Sequence, residues 1–143
     1  MHAFIIISSL AAIAAAATNG TFTDDRGVWT ITKFNYHTTP SGAHPFYQFD
    51  AQYSGDAADK VNSCSREYGG SPDAKRPGPY CSDPALSFEV NESEKILSLT
   101  QTINEHEVIR GEQKFELDCH NDSNGAYICN ADTFKVSVST AVA

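Results

Sequence analysis

Two stretches toward the C-terminus alternate polar and apolar residues with a period of two: Lys114-Phe-Glu-Leu-Asp-Cys119 and Asp132-Thr-Phe-Lys-Val-Ser-Val-Ser139. That period is how an extended strand buries one face and wets the other. Phe115, Leu117 and Cys119 are expected to point inward, and Lys114, Glu116 and Asp118 outward. Between the two stretches lie Asn124-Gly125, which supplies the φ > 0 residues of a tight hairpin turn, and a second cysteine, Cys129. A Cys119–Cys129 bridge would staple this ribbon.

The same pattern recurs through the rest of the chain. Val28-Trp-Thr-Ile-Thr-Lys-Phe34 is rich in β-branched and aromatic residues and reads as a first strand. Strict alternation places Val28, Thr30, Thr32 and Phe34 on one face and Trp29, Ile31 and Lys33 on the other. Trp29 is expected to pack in the core. After a turn at Thr38-Thr-Pro-Ser-Gly42, Phe46–Tyr53 is a second strand with Tyr47, Phe49, Ala51 and Tyr53 on one side. Ser54-Gly-Asp56 breaks the pattern, and a short third strand is expected over Ala58–Cys64. Leu86, Phe88 and Val90 alternate with Ser87, Glu89 and Asn91. Lys95–Ile103 follows, with Leu97, Leu99, Gln101 and Ile103 sharing a face. Asn104–Glu107 connects to a short strand at Val108-Ile109. Many short strands with frequent turn signals predict an all-β fold, a small antiparallel β-barrel or sandwich.

The first residues fall outside that pattern. Ala3–Ala17 is apolar and uncharged, and six of the seven residues Ala11–Ala17 are alanine. It resembles a secretory signal peptide and is short for a membrane span of ~20 residues. The division expected is a signal segment over residues 1–17 and one domain over 18–143, exported and extracellular. Four cysteines suit an oxidising compartment. Three pairings are open; Cys64–Cys81 with Cys119–Cys129 is preferred because each pair brackets a local loop. Asn19, Asn91 and Asn121 each begin an N-glycosylation tripeptide. A formal net charge of −8 repels phosphate backbones, so nucleic acid is not an expected partner. No second apolar run is long enough to span a bilayer, and no polybasic segment suggests anionic membranes.

Gly-x-Ser-x-Gly, His-Glu-x-x-His, a P-loop and a dinucleotide fingerprint are all missing, so no enzyme, catalytic residue or cofactor is predicted. Glu89, Glu92 and Glu94 read as a wet strand end. His37 and His44 flank one turn and would meet across a hairpin; surface or hydrogen-bonding histidines are the simpler reading, and no metal site is assigned. His106 and His120 are placed in loops. The Pro- and Gly-rich segment Ser65–Tyr80 is expected to be a loop fenced by Cys64 and Cys81. It gathers Arg66, Tyr68, Lys75, Arg76 and Tyr80 on an otherwise acidic chain and is the candidate partner-contact loop.

Several of these segments occur together in one known family. From Val28 to Val138 the chain resembles the fungal secreted proteins related to the Alternaria major allergen, which include inducers of hypersensitive cell death in plants. The resemblance rests on Val28–Phe34, Cys64, Pro79-Tyr-Cys81-Ser, Leu86-Ser-Phe-Glu-Val90, Phe115…Cys119, Tyr127-Ile-Cys129 and Phe134–Val138. It implies a small β-barrel with the two local bridges, and a non-catalytic elicitor or virulence role toward a plant cell-surface or apoplastic protein. The allergen's extra cysteine, which links two copies, has no counterpart before Cys64, so a monomer without a covalent dimer is expected. A small-molecule carrier for apolar or phenolic ligands is the alternative, and an extracellular hydrolase the third.

Overall fold

The computed structural model describes residues 26–67 and 79–143. The expected signal segment, Asn19, Tyr68, Lys75 and Arg76 lie outside the described residues. Among the described residues eleven strands form: β1 (Val28–His37), β2 (Phe46–Tyr53), β3 (Asn62–Glu67), β4 (Tyr80–Cys81), β5 (Leu86–Asn91), β6 (Ile96–Asn104), β7 (Glu107–Lys114), β8 (Asp118–Asn121), β9 (Tyr127–Asn130), β10 (Phe134–Ser137) and β11 (Thr140–Val142). One sheet runs β4-β3-β2-β1-β9-β8, with β10 also paired to β1; the other runs β11-β7-β6-β5. Every pairing is antiparallel. No ladder among the described residues joins the two sheets, so the architecture is a sandwich and not a closed barrel.

The core lies between the sheets, and aromatic rings fill it. Phe34 stands at its centre, with ring centroids 4.7 Å from Phe115, 5.6 Å from Phe49 and 5.7 Å from Phe134. Phe49 of the large sheet meets Phe88 of the small one edge-on at 4.8 Å. Each such buried ring contributes about 1.5–3 kcal/mol through area removed from water. Trp29, Ile31, Leu97, Leu99, Ile109 and Val136 complete the interior.

Several expectations change at strand boundaries. Phe34 faces the core on the same side as Trp29 and Ile31, against the parity expected. Lys33 takes φ 54° and the β1–β2 register shifts between Thr32 and Asn35. A bulge adds one residue to one strand and so resets which residues point inward. The third strand begins at Asn62 and runs to Glu67, so Ser65, Arg66 and Glu67 are strand residues and Tyr80 belongs to β4, not to a loop. The expected Val108-Ile109 strand extends over eight residues as β7. Ile103 is exposed because the β6–β7 register shifts between Thr102 and Asn104. His120 lies in β8, whereas His106 sits in the β6–β7 turn.

The two alternating stretches are not single strands. Lys114 ends β7 in the small sheet, and Asp118 begins β8 in the large one. Phe115–Leu117 carries the chain between layers while keeping its alternation, with Phe115 buried, Leu117 half-buried and Glu116 exposed. Likewise β10 stops at Ser137 and β11 starts at Thr140 in the opposite sheet. In the turn, Gly125 alone adopts positive φ, 84°. Asp122 shapes the rest, its Oδ1 accepting the amides of Asn124 and Ala126.

Candidate functional site

Among the described residues, sheet register builds several surface regions that gather polar or aromatic side chains, and three of them bear on function. The largest is a recess of about 560 Å³ at one end of the sandwich, lined by Tyr36, Tyr47, Phe115, Leu117, Tyr127 and the Cys119–Cys129 bridge. Tyr36 pairs with Tyr47 across β1–β2 and with Cys129 across β1–β9. Its ring lies 4.6 Å from that of Tyr47 and 6.4 Å from that of Tyr127, nearly perpendicular to the latter. Burial, then the negative charge of Glu92 and the neighbouring Tyr127, raises the Tyr36 phenol above its ordinary pKa. That phenol therefore stays protonated and able to donate a hydrogen bond. Glu92, Lys95, Lys114 and Glu116 stand exposed around the rim, so its formal charge is balanced.

The sequence pattern set Tyr47 on one face with Phe49 and Ala51, and Cys119–Cys129 across the hairpin, but it did not bring Tyr36 and Tyr127 together. The bulge at Lys33 puts Tyr36 on the core-side face of β1, and the β1–β9 pairing then delivers Tyr127. Period-two counting from Trp29 gives Tyr36 the opposite parity.

A second region lies on the outer face of β1, β2, β3 and β4, a depression of about 400 Å³ that includes Lys33, Asp50, Ser63, Cys64 and Tyr80. Asp50 accepts from Lys33 Nζ at 2.8 Å and from Ser63 Oγ at 2.7 Å. These hydrogen bonds, Lys33 first, hold its carboxyl below the usual carboxylate range, which weakens it as a proton acceptor. Of the candidate partner-contact residues, Tyr80 is 61% exposed here and Arg66 is half-buried in β3.

A third region holds His37, Thr39, His44, Phe46 and Glu67 in a shallow depression of about 400 Å³ at the loop end of the β1–β2 hairpin. Both histidines line it, His37 hydrogen-bonded to Asn35 and His44 to Glu67. No group of three or more His, Cys, Asp or Glu suited to one metal ion occurs among the described residues.

The acidic trio separates. Glu92 reaches the aromatic recess, whereas Glu94 accepts a 2.7 Å hydrogen bond from Asn91. Glu89 faces solvent from β5. Asn91 and Asn121 are exposed at the ends of β5 and β8. The bridges are Cys64–Cys81 and Cys119–Cys129, and each joins residues directly opposite on neighbouring strands. Among the described residues no helix is long and apolar enough to cross a membrane.

No protein-family model matches the chain, and no curated protein does. Solved structures do. A crystal structure of Alternaria alternata allergen Alt a 1 superposes with a TM-score of 0.63 at 17% identity, covering 87% of this chain and 96% of that one. Another crystal structure of the same major allergen gives 0.61 at 16% identity, over 81% and 94%. At that identity the likeness is one of fold: this chain folds as that allergen does.

Proposed function

We propose that this chain is a secreted fungal elicitor of the allergen-like family, which triggers plant defence by binding a host surface component or apoplastic protein. The observation that carries the reading is the shared fold with Alt a 1 over 87% of the chain. The signal-like segment over residues 1–17 and the two bridges support export into an oxidising compartment. Recognition falls to the exterior, and the region around Arg66, Tyr68, Lys75, Arg76 and Tyr80 is the proposed contact surface. The protein acts as a monomer, without catalysis.

Infiltration of purified, bridged protein into leaves tests this reading. Localised cell death and defence responses are expected, and a reduced, unfolded preparation should not provoke them. A folded preparation that is inert across several plant hosts overturns it. Pull-down from apoplastic fluid, repeated with Lys75→Ala/Arg76→Ala/Tyr80→Ala, then locates the surface.

The aromatic recess favours a second reading, a carrier of small apolar or phenolic molecules. The sandwich interior is filled with side chains, so a ligand would enter this end recess and not a central cavity. Quenching of tyrosine fluorescence by an apolar probe, lost in Tyr127→Ala, is the expected signature.

A further inference from the structure

Two N-glycosylation tripeptides lie among the described residues, Asn91-Glu-Ser93 and Asn121-Asp-Ser123. Each has an acidic middle residue and ends in serine, so composition does not separate them. Local structure does. Asn91 ends β5 and pairs with Ile96 across a hairpin in which residues 91–95 are all exposed. The Glu94 amide, which can only donate, lies 3.2 Å from Asn91 Oδ1, so the side-chain oxygen faces it. Ser93 Oγ donates to the same oxygen at 2.8 Å, and Asn91 Nδ2 donates to Glu94 Oε2 at 2.7 Å.

The serine hydroxyl is therefore set against the carboxamide of its own tripeptide. All these partners fall within residues 91–94, so the arrangement needs no tertiary contact and is open to the chain before its sheets assemble. That timing matters, because an asparagine receives its sugar as the chain enters the export route. At Asn121 the hydroxyl is not so placed. Asp122 organises that turn by accepting the Asn124 and Ala126 amides at 2.8 and 2.9 Å. No hydrogen bond among the described residues joins Ser123 to Asn121.

We propose that Asn91, in preference to Asn121, carries an N-linked oligosaccharide, a modification that rests on the export proposed above. In the transfer, Asn91 Nδ2 bonds to the anomeric carbon of a polyprenyl-diphosphate-linked oligosaccharide. The anomeric C–O bond breaks, its electron pair leaves with the diphosphate, and one Nδ2 proton is released. The second proton stays and can keep the bond to Glu94. Strand parity places the sugar. Leu86, Phe88 and Val90 point into the core, so Ser87, Glu89 and Asn91 share the outer face of the small sheet. The depression around Asp50, Ser63 and Tyr80 opens on the outer face of the large sheet. The sugar and the proposed contact surface thus occupy opposite sides of the sandwich, and a bulky, hydrated substituent at Asn91 leaves the contact side clear.

The test expresses the full chain in a secreting yeast host and maps peptides of the protein from the medium by mass spectrometry. Peptide N-glycosidase in heavy-oxygen water, applied to the folded protein, converts each sugar-bearing asparagine to a labelled aspartate. Label on Asn91 is expected to exceed that on Asn121. Ser93→Ala should abolish it, and Ser93→Thr should retain it. Equal or reversed labelling overturns the proposal, as does release from Asn91 only after denaturation, because residues 91–95 are exposed. A chain that stays in the cytosol removes the export reading and this proposal together; a chain in the medium with Asn91 bare removes this proposal alone. Should Ser93→Ala fail to reach the medium, the two labels in the unaltered chain decide the matter.

Discussion

The indole nitrogen of Trp29 donates a 2.7 Å hydrogen bond to Oε1 of Gln101, and both side chains are closed off from solvent. Trp29 belongs to β1 and Gln101 to β6, so this bond crosses the interior from one sheet to the other. A polar pair in an apolar core is tolerated only while each partner satisfies the other. Gln101→Leu should destabilise the fold by about 1–3 kcal/mol, since it strands the indole N–H. Trp29→Phe in the same background removes that orphan donor, so the double variant should lose less than the sum of the single losses. Urea unfolding of the four proteins checks this; strictly additive losses would show that the bond carries no coupling.

Lys33 is the residue on which the phase of β1 turns. At φ 54° it occupies the left-handed region, which costs an ordinary residue about 1–2 kcal/mol and a β-branched one more. Lys33→Gly should be tolerated, because relief of backbone strain offsets the lost contact with Asp50. Lys33→Val should destabilise by at least about 1 kcal/mol relative to Lys33→Gly. Thermal unfolding of both variants measures the difference, and equal midpoints would count against a strained bulge.

That residue also marks where the sequence stopped being legible. Alternation placed β2, β5 and most of β6, because their hydrophobic faces run unbroken, as in Leu86, Phe88 and Val90. It assigned Phe34 to the wrong face, since nothing in Thr-Lys-Phe announces an extra residue in the ladder. It likewise gave no sign that Phe115–Leu117 or Val138-Ser139 change sheets, because the side-chain period survives the crossing. Bridge positions were readable from loop length alone. The aromatic recess was not, since it depends on the bulge and on the β1–β9 register that sets Tyr36 opposite Cys129. His37 and His44 were legible as flanking one turn, but their partners, Asn35 and Glu67, were not.

Gly111 lies in the middle of β7, where glycine ordinarily weakens a strand. A Cβ built there would stand 2.3 Å from the Ser137 carbonyl oxygen and 3.0 Å from Trp29 Cζ3. The close approach lets β10 pack over β7 as the chain passes toward β11. Gly111→Ala should therefore cost about 1–3 kcal/mol through overpacking, and Gly111→Val more. A neutral outcome for Gly111→Ala in urea unfolding would mean that β10 can move away at no expense.

The bridges close loops whose cysteines are 17 and 10 residues apart. In the loop-entropy account each is worth about 3 kcal/mol, with little difference between them because the dependence on length is logarithmic. Cys64→Ala/Cys81→Ala and Cys119→Ala/Cys129→Ala should each lower stability by about 2–4 kcal/mol. The second pair should also loosen the recess, since that bridge forms part of its wall. Calorimetric unfolding ranks the two, and a loss under 1 kcal/mol for either would refute the entropic reading.

Asp50 and Asp83 are expected to contribute to the acid sensitivity of the fold. Asp83 accepts from Lys60 Nζ at 2.7 Å and from the Ala85 amide at 2.9 Å, and these bonds hold its carboxyl, like that of Asp50, below the usual range. In the unfolded chain both revert to about 3.9. Just below that value the unfolded state binds more protons than the native one, so stability falls as the medium becomes more acidic. The contribution is complete above the ordinary carboxylate range and disappears as pH drops through the depressed native values. Lys33 and Lys60 are shifted upward by the same hydrogen bonds, so their share is lost only as pH rises through those raised values. Asp50→Asn and Asp83→Asn should each flatten the decline in urea midpoint between about pH 5 and pH 2, and the double variant should flatten it further. If both variants keep the full acid slope, other carboxylates set it.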